Sequence, residues 1–439
     1  MTISLRRPPE LRVRRLAAIL AGYSLLDSLV LLYPVYALLF ADTGLSTWQI
    51  SSLFVLWSLT GVVLEVPSGA WADAVSRRLL LGLGPLLSAV GFGLWVAVPA
   101  YWSFAAGFVL WGVKEALASG ALEALVYSEL DRVGAAGRYA RIMGRARAAG
   151  MLGVVLAMAL AAPVFAAGGY PAVGAASVLA CLLTAALGFA LPEHRAAARD
   201  SGPVAPDSGP AGGVAVDAVG GGAPPGAAEP APDDGQLGYV AALRAGLAEA
   251  RRSRPVRHAV LLLAVVSAVW GALDEYTPLL LRDDGVAPER VPLLLVLVWA
   301  AAALGGLLAG AGGRLPATGY AALLAGAAVA LASGATIGGA AGIVLVAASF
   351  GVFQLASVVA DARLQERIAG PSRATVTSLG GVATDLTTIG VYGTYGVLAS
   401  LTGHATTFAA FAVPYLVIAY RLVRVHRAGP VEPDVRFGR

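Results

Sequence analysis

Few side chains in this sequence could do chemistry, and most of those are acids set inside long apolar runs. Asp27 stands in the run 16–40, Lys114 and Glu115 in 102–128, Asp274 and Glu275 in 258–281, and Asp385 in 375–400. At about 1.5 Å per helical residue, Asp27, Lys114, Glu115 and Asp385 fall close to the middle of membrane-length segments. A charge at that depth costs at least about 2.5–3.5 kcal/mol, so all four should face the interior of a helix bundle. Lys114 is the only lysine in the chain and can neutralise one carboxylate. The two acids left over must be protonated, bind a cation or face water. That imbalance suits a cavity handling protons, cationic molecules or both; the alternative is a structural ion-pair network with inert, protonated acids. Adjacent helical residues point about 100° apart, so Lys114 and Glu115 should each look to a partner on another span and act as a switchable pair.

Asp274 and Glu275 follow Trp270 in the outer third of their run and would either form an outer site or simply reach water. Trp111 and Tyr36 are the ring donors best placed to line a cation-binding cavity, Trp111 because Glu115 lies one helical turn later. Glu65, Glu123 and Asp361 lie nearer the ends of their runs, where bonding to loop arginines is the expected role.

Other chemistries lack their residues. Cys181 is the only cysteine and the four histidines stand far apart, so no disulfide, CxxC pair, HExxH motif or metal-ligand set is expected. Gly390-Val-Tyr-Gly393-Thr-Tyr-Gly396 lies in an apolar run with no strand before it, which reads as close helix packing or a flexible gate and not as a nucleotide loop. Gly306 and Gly310 form a small-xxx-small pair with the same meaning. No nucleophile–base constellation is present. No enzyme, cofactor or nucleic-acid function is expected.

The elements that must position these residues follow from composition. Of 439 residues, 58% are hydrophobic and 13% are charged, too few charges for a soluble surface. The apolar runs are continuous and too long for barrel strands, which leaves helices in a bilayer. Twelve spans can be read, at 16–40, 48–70, 79–98, 102–128, 146–168, 172–191, 258–281, 291–312, 317–336, 341–363, 375–400 and 405–423. Nearly all of the 31 basic residues fall in connections on one side, whereas the opposite connections hold only Arg282 and Arg290. The positive-inside rule then makes both termini cytoplasmic, in a multi-pass protein of a bacterial inner membrane. The expected organisation is a tail at 1–15, a six-helix half at 16–191, a linker at 192–257, a second half at 258–423 and a tail at 424–439. Within the linker, 200–235 is rich in Gly, Pro and Ala and should be disordered. Leu237, Val240, Leu243 and Leu247 then recur at the spacing of an amphipathic surface helix. Asp42-Thr43-Gly44 and Asp283-Asp284-Gly285 stand at one offset, as do Gly69-Ala70 and Gly310-Ala311, which suggests duplicated halves.

The segment from Glu65 to Arg78 resembles the loop 2–3 signature of the major facilitator superfamily. Gly69, Asp73, Arg77 and Arg78 match it; Ala74 and Ser76 depart from it, where a basic residue and a glycine are usual. The resemblance implies an all-α protein of twelve transmembrane helices in two pseudo-symmetric halves, with these four residues as a cytoplasmic latch. It also implies alternating access to a small-molecule substrate, and a monomer. Span five lacks the Gly-Pro pair that the superfamily's proton-driven drug antiporters usually carry. Joined to the excess of midplane acids, the resemblance gives the expectation of proton-coupled efflux of a small amphipathic or cationic compound. Uptake of a metabolite by a symporter or facilitator, and a non-transporting receptor or scaffold, are the alternatives.

Overall fold

A computed structural model describes residues 9–194, 253–367 and 373–427, and gives the backbone alone at 9, 65–74, 373–375 and 425–427. The two tails and most of the linker, including its expected disordered stretch and amphipathic helix, lie outside the described residues. Among those described, every regular element is a helix: α1 (Pro9–Ser28), α2 (Tyr36–Asp42), α3 (Thr47–Ala74), α4 (Arg77–Ala97), α5 (Tyr101–Ala118), α6 (Ala121–Arg132) and α7 (Tyr139–Ala190) in the first half. The second half holds α8 (Arg254–Asp283), α9 (Val291–Gly312), α10 (Ala317–Ile337), α11 (Gly339–Arg367), α12 (Arg373–Thr402), α13 (His404–Ala410) and α14 (Val413–Arg427).

These elements make twelve passes, six to each half, and the breaks have local causes. Helix α7 is two passes joined at Gly168-Gly169, where Gly169 takes φ 60° and ψ −153°, a conformation open to glycine alone. The first pass consists of α1 and α2 with an irregular segment between them. Pro34 lacks the N–H that would continue the helix, and the Leu32 N–H freed by the break donates to Ser177 Oγ at 3.0 Å. The fourth pass breaks between α5 and α6 at Gly120, with φ 70°. Among the described residues, eight segments are long and apolar enough to cross a membrane, α7 crossing twice and α13 with α14 counting as one. The three passes outside that set are the first, fourth and eleventh, and they carry Asp27, Lys114 with Glu115, and Asp385.

Small residues let the helices approach where lipid supplies no hydrophobic drive. A Cβ added at Gly305 of α9 would collide with the Gly351 carbonyl of α11, and one at Gly153 of α7 with the Leu25 carbonyl of α1. The close approach on α9 thus belongs to Gly305, since Gly306 and Gly310 meet no backbone. In the glycine run of α12 only Gly396 is packed closely: a Cβ there would lie 2.7 Å from Ser51 Cβ in the opposite half, whereas one at Gly390 or Gly393 would meet nothing.

The halves meet at the end carrying the short acidic loops. There Asp42 Oδ1 pairs with Arg282 Nη2 at 2.8 Å, and the Ser51 and Tyr276 hydroxyls hydrogen-bond at 2.7 Å. Tyr276 also stacks on Tyr395 with ring centroids 3.6 Å apart, and edges against Phe54 of the first half at 5.3 Å.

Candidate functional site

The break in the first pass leaves Asp27 near the end of α1, facing α5. Lys114 Nζ donates to Asp27 Oδ2 at 2.9 Å, with the lysine side chain 10% exposed and the aspartate 30%. The chain's one lysine is therefore engaged by the first pass and not by Glu115, its neighbour in sequence. In this structure the two residues of the expected switchable pair do separate work on two faces of α5.

Glu115 turns the other way, onto a cavity of about 520 Å³ between the halves. The first half contributes Trp57, Ser58 and Glu115; the second contributes Glu275, Asp385, Thr388 and Tyr392. Three carboxylates thus come from the fourth, seventh and eleventh passes, and among the described lining residues none is basic. The Trp57 and Trp111 rings stand beside Glu115. They stack on each other with centroids 4.8 Å apart, and Trp111 stacks in turn on Tyr33 at 5.1 Å. Trp111 backs this wall while remaining nearly buried itself.

Tyr36, at the start of α2, reaches across the halves and donates its hydroxyl proton to Glu275 Oε2. Glu275 is consequently both a cavity wall and a contact between halves. Pro278, three residues on, cannot donate to the Asp274 carbonyl, so the ladder of α8 is interrupted beside both acids. Asp274 is half-buried on the same helix but is not among the residues lining the cavity. Of the acids singled out by sequence, the cavity brings together Glu115, Glu275 and Asp385, while Asp27 is held by Lys114.

At the arginine-rich end, Gly69 and Asp73 fall in the last turns of α3, where the backbone alone is described. Arg77 and Arg78 open α4, and their backbone N–H groups donate to Glu193, at 2.9 Å to Oε1 and 3.3 Å to Oε2. The Ser76 hydroxyl bonds the same carboxylate while accepting from Leu79 N–H at 3.2 Å. Glu193 therefore supplies the anion at this helix N-terminus, where unpaired N–H groups and the helix dipole favour negative charge. Arg77 Nη1 also reaches Ser128 Oγ at 3.5 Å. These contacts all lie within the first half.

Sequence reasoning missed Glu193, Ser58, Thr388 and Tyr392. Glu193 carries a usable signal: an acid just past an apolar run, beside the proline that ends it. The other three carry none, since polar and aromatic residues scattered in helices give no sign of which face is wet.

No curated protein matches the chain in sequence. Solved structures match it in fold. The nucleoside transporter NupG aligns with a TM-score of 0.69 at 12% identity, covering 95% of this chain and 99% of that one. A bacterial homologue of the human lysosomal transporter Spinster, in an inward-facing and unoccupied conformation, gives 0.68 at 15% identity over 96% and 97%. A D-xylose–proton symporter gives 0.61 at 14% identity over 94% and 97%. The Major Facilitator Superfamily model matches residues 17–404. With two six-helix halves, a cavity between them and a family match over most of its length, the chain belongs to the major facilitator superfamily, as a multi-pass membrane transporter and not an enzyme.

Proposed function

We propose that this transporter exports a small amphipathic organic cation in exchange for protons, by alternating access between its halves across a bacterial inner membrane. The observation that carries the reading is the cavity itself: Glu115, Glu275 and Asp385 share it while Lys114 is committed elsewhere. Carboxylates gathered around one space, with no basic residue in its described lining, are the groups that would take up protons or a cation there. Competition between the two is the minimal basis of antiport. Trp57 and Tyr392 offer ring faces that favour a cation over a neutral molecule of the same shape. Asp27 and Lys114 hold the first and fourth passes together, and their separation and re-pairing is the step that would accompany reorientation. Both termini and the arginine-rich loops face the cytoplasm, with Gly69, Asp73, Arg77 and Arg78 latching that side, and the protein works as a monomer.

The test is proton release from inverted vesicles on addition of a panel of lipophilic cations. Wild type should respond to some of them, while Glu115→Gln and Asp385→Asn should abolish the response with expression intact. Proton-coupled export is wrong if both variants keep full substrate-driven proton movement. A second reading is metabolite uptake by a symporter or facilitator, and a D-xylose–proton symporter is among the proteins of the same fold. Substrate accumulating with the proton flow, and not against it, would select that reading.

A further inference from the structure

A second, larger space of about 810 Å³ lies in the first half alone, at the arginine-rich end. Its polar wall is formed by Arg12 and Arg15 of α1, Arg78 of α4 and Arg132 of α6. Glu129 is the acid lining it, and that carboxylate is already used: it pairs with Arg132 at 2.9 Å and accepts from the His194 backbone N–H at 2.7 Å. Arg12, Arg15 and the Arg78 guanidinium have no acidic partner among the described residues. Three arginines converging on one groove repel each other, and their forked donors match phosphate geometry.

The groove does not close on its outer flank. Phe189 lines it and is 41% exposed, and Leu79 and Leu83 of α4, each 40% exposed, continue the apolar surface one helical turn at a time. Leu79 and Leu83 are four apart and share a face, and Phe189 packs against Gly82 between them. The result is a cationic niche at the level of a membrane surface with an apolar track leading from it along a transmembrane helix. A free anion would use the niche and leave the track empty; a soluble acidic peptide would have no use for apolar surface at lipid depth.

We propose that this groove binds the phosphate headgroup of an anionic phospholipid of the adjoining leaflet, with one acyl chain lying along Leu79, Leu83 and Phe189. The lipid would join the start of the first pass to the third, fourth and sixth, filling a gap that the protein leaves positive. Binding would be selective for net negative headgroups, because a zwitterion brings its own cation into the niche.

The test uses the full chain purified in neutral detergent, with native mass spectrometry reading lipid adducts. Dioleoyl phosphatidylglycerol is titrated against dioleoyl phosphatidylcholine. Wild type should retain the anionic lipid well beyond the zwitterionic one. Arg12→Gln/Arg15→Gln should weaken the anionic lipid at least about tenfold, Arg12→Lys/Arg15→Lys should largely restore it, and Arg314→Gln at the same end of the other half should change nothing. Equal retention of both lipids, or glutamine and lysine pairs that behave alike, would overturn the proposal. So would displacement of the lipid by an equal concentration of inorganic phosphate, which would make the niche a free-anion site. Matched melting temperatures for the two double variants separate lost binding from lost folding.

Discussion

Tyr36 and Glu275 are hydrogen-bonded across the two halves, and Glu275 is at the same time a wall of the central cavity. One carboxylate therefore serves both the closed end of the transporter and the space where a substrate would sit. A cation that draws Glu275 toward itself must compete with the Tyr36 hydroxyl, so occupation of the cavity opposes the closed end through a single bond. Tyr36→Phe removes that bond and leaves the carboxylate in the cavity. A hydrogen bond to a charged group contributes about 1.5–3 kcal/mol, roughly a 10- to 100-fold bias. Spin labels placed on the 42–46 and 282–290 loops should show a narrow distance distribution in wild type and a broader, longer one in Tyr36→Phe. An unchanged distribution would mean that Ser51–Tyr276 and Asp42–Arg282 hold the closed end without it.

The Lys114–Asp27 pair makes an asymmetric prediction. Removing one partner strands the other charge inside the bundle, which costs about 3–5 kcal/mol, whereas removing both leaves no charge to strand. Asp27→Asn should lower thermal stability in detergent strongly and Lys114→Met less, because the first strands the more buried lysine and the second the more exposed aspartate. The double variant should recover most of the loss. If the double variant is as unstable as the sum of the singles, the two residues do not depend on each other.

At the arginine-rich end, Glu10 carries a pH signature. Its carboxyl is bonded to the Arg138 guanidinium at 2.7 and 3.2 Å, and that bond with its charge holds the Glu10 pKa below the usual glutamate range. A carboxylate whose folded pKa is depressed adds stability that is present above its unfolded pKa and is lost as pH falls through the folded value. Wild type should therefore melt slightly higher than Glu10→Gln at neutral pH, and the gap should close as pH falls toward about 3. The pair is solvent-exposed, so raising salt at neutral pH should also narrow the gap. A gap that is constant across pH would assign it to packing of the side chain and not to charge.

How much of this was legible beforehand depends on the kind of residue. Twelve passes follow from apolar runs, because a bilayer demands an uninterrupted helix or a reason for its interruption. The acids were legible for the same reason: Glu115, Glu275 and Asp385 stand out against segments that tolerate almost no charge. Their pairing was not legible. Whether Lys114 meets Asp27 or another carboxylate depends on the rotation of α1 against α5, which is set by contacts such as Gly153 on the Leu25 carbonyl. The contact on α9 shows the same limit: a small-xxx-small pair was visible, but the residue at the interface is its neighbour Gly305. Glu193 went unread because it acts on a helix more than a hundred residues earlier in the chain.

Trp57 provides the sharpest separation between a cation site and a cavity that is merely polar. It lines the space directly, and its ring stacks on Trp111, which fixes its plane. A cation over an indole face gains about 0.5–2 kcal/mol, whereas a neutral molecule of equal shape gains only the dispersion contact. Trp57→Leu removes the ring's electrostatics together with some apolar contact, and that contact is lost to charged and neutral ligands alike. For a cationic substrate the apparent affinity should fall by roughly 2- to 30-fold, with little change in maximal flux. A neutral isostere of that substrate should lose only the shared contact, and so lose less affinity than the cation. Equal losses for the charged and neutral compounds would show that Trp57 shapes the cavity without reading charge, and would leave Glu115, Glu275 and Asp385 as the whole of its selectivity.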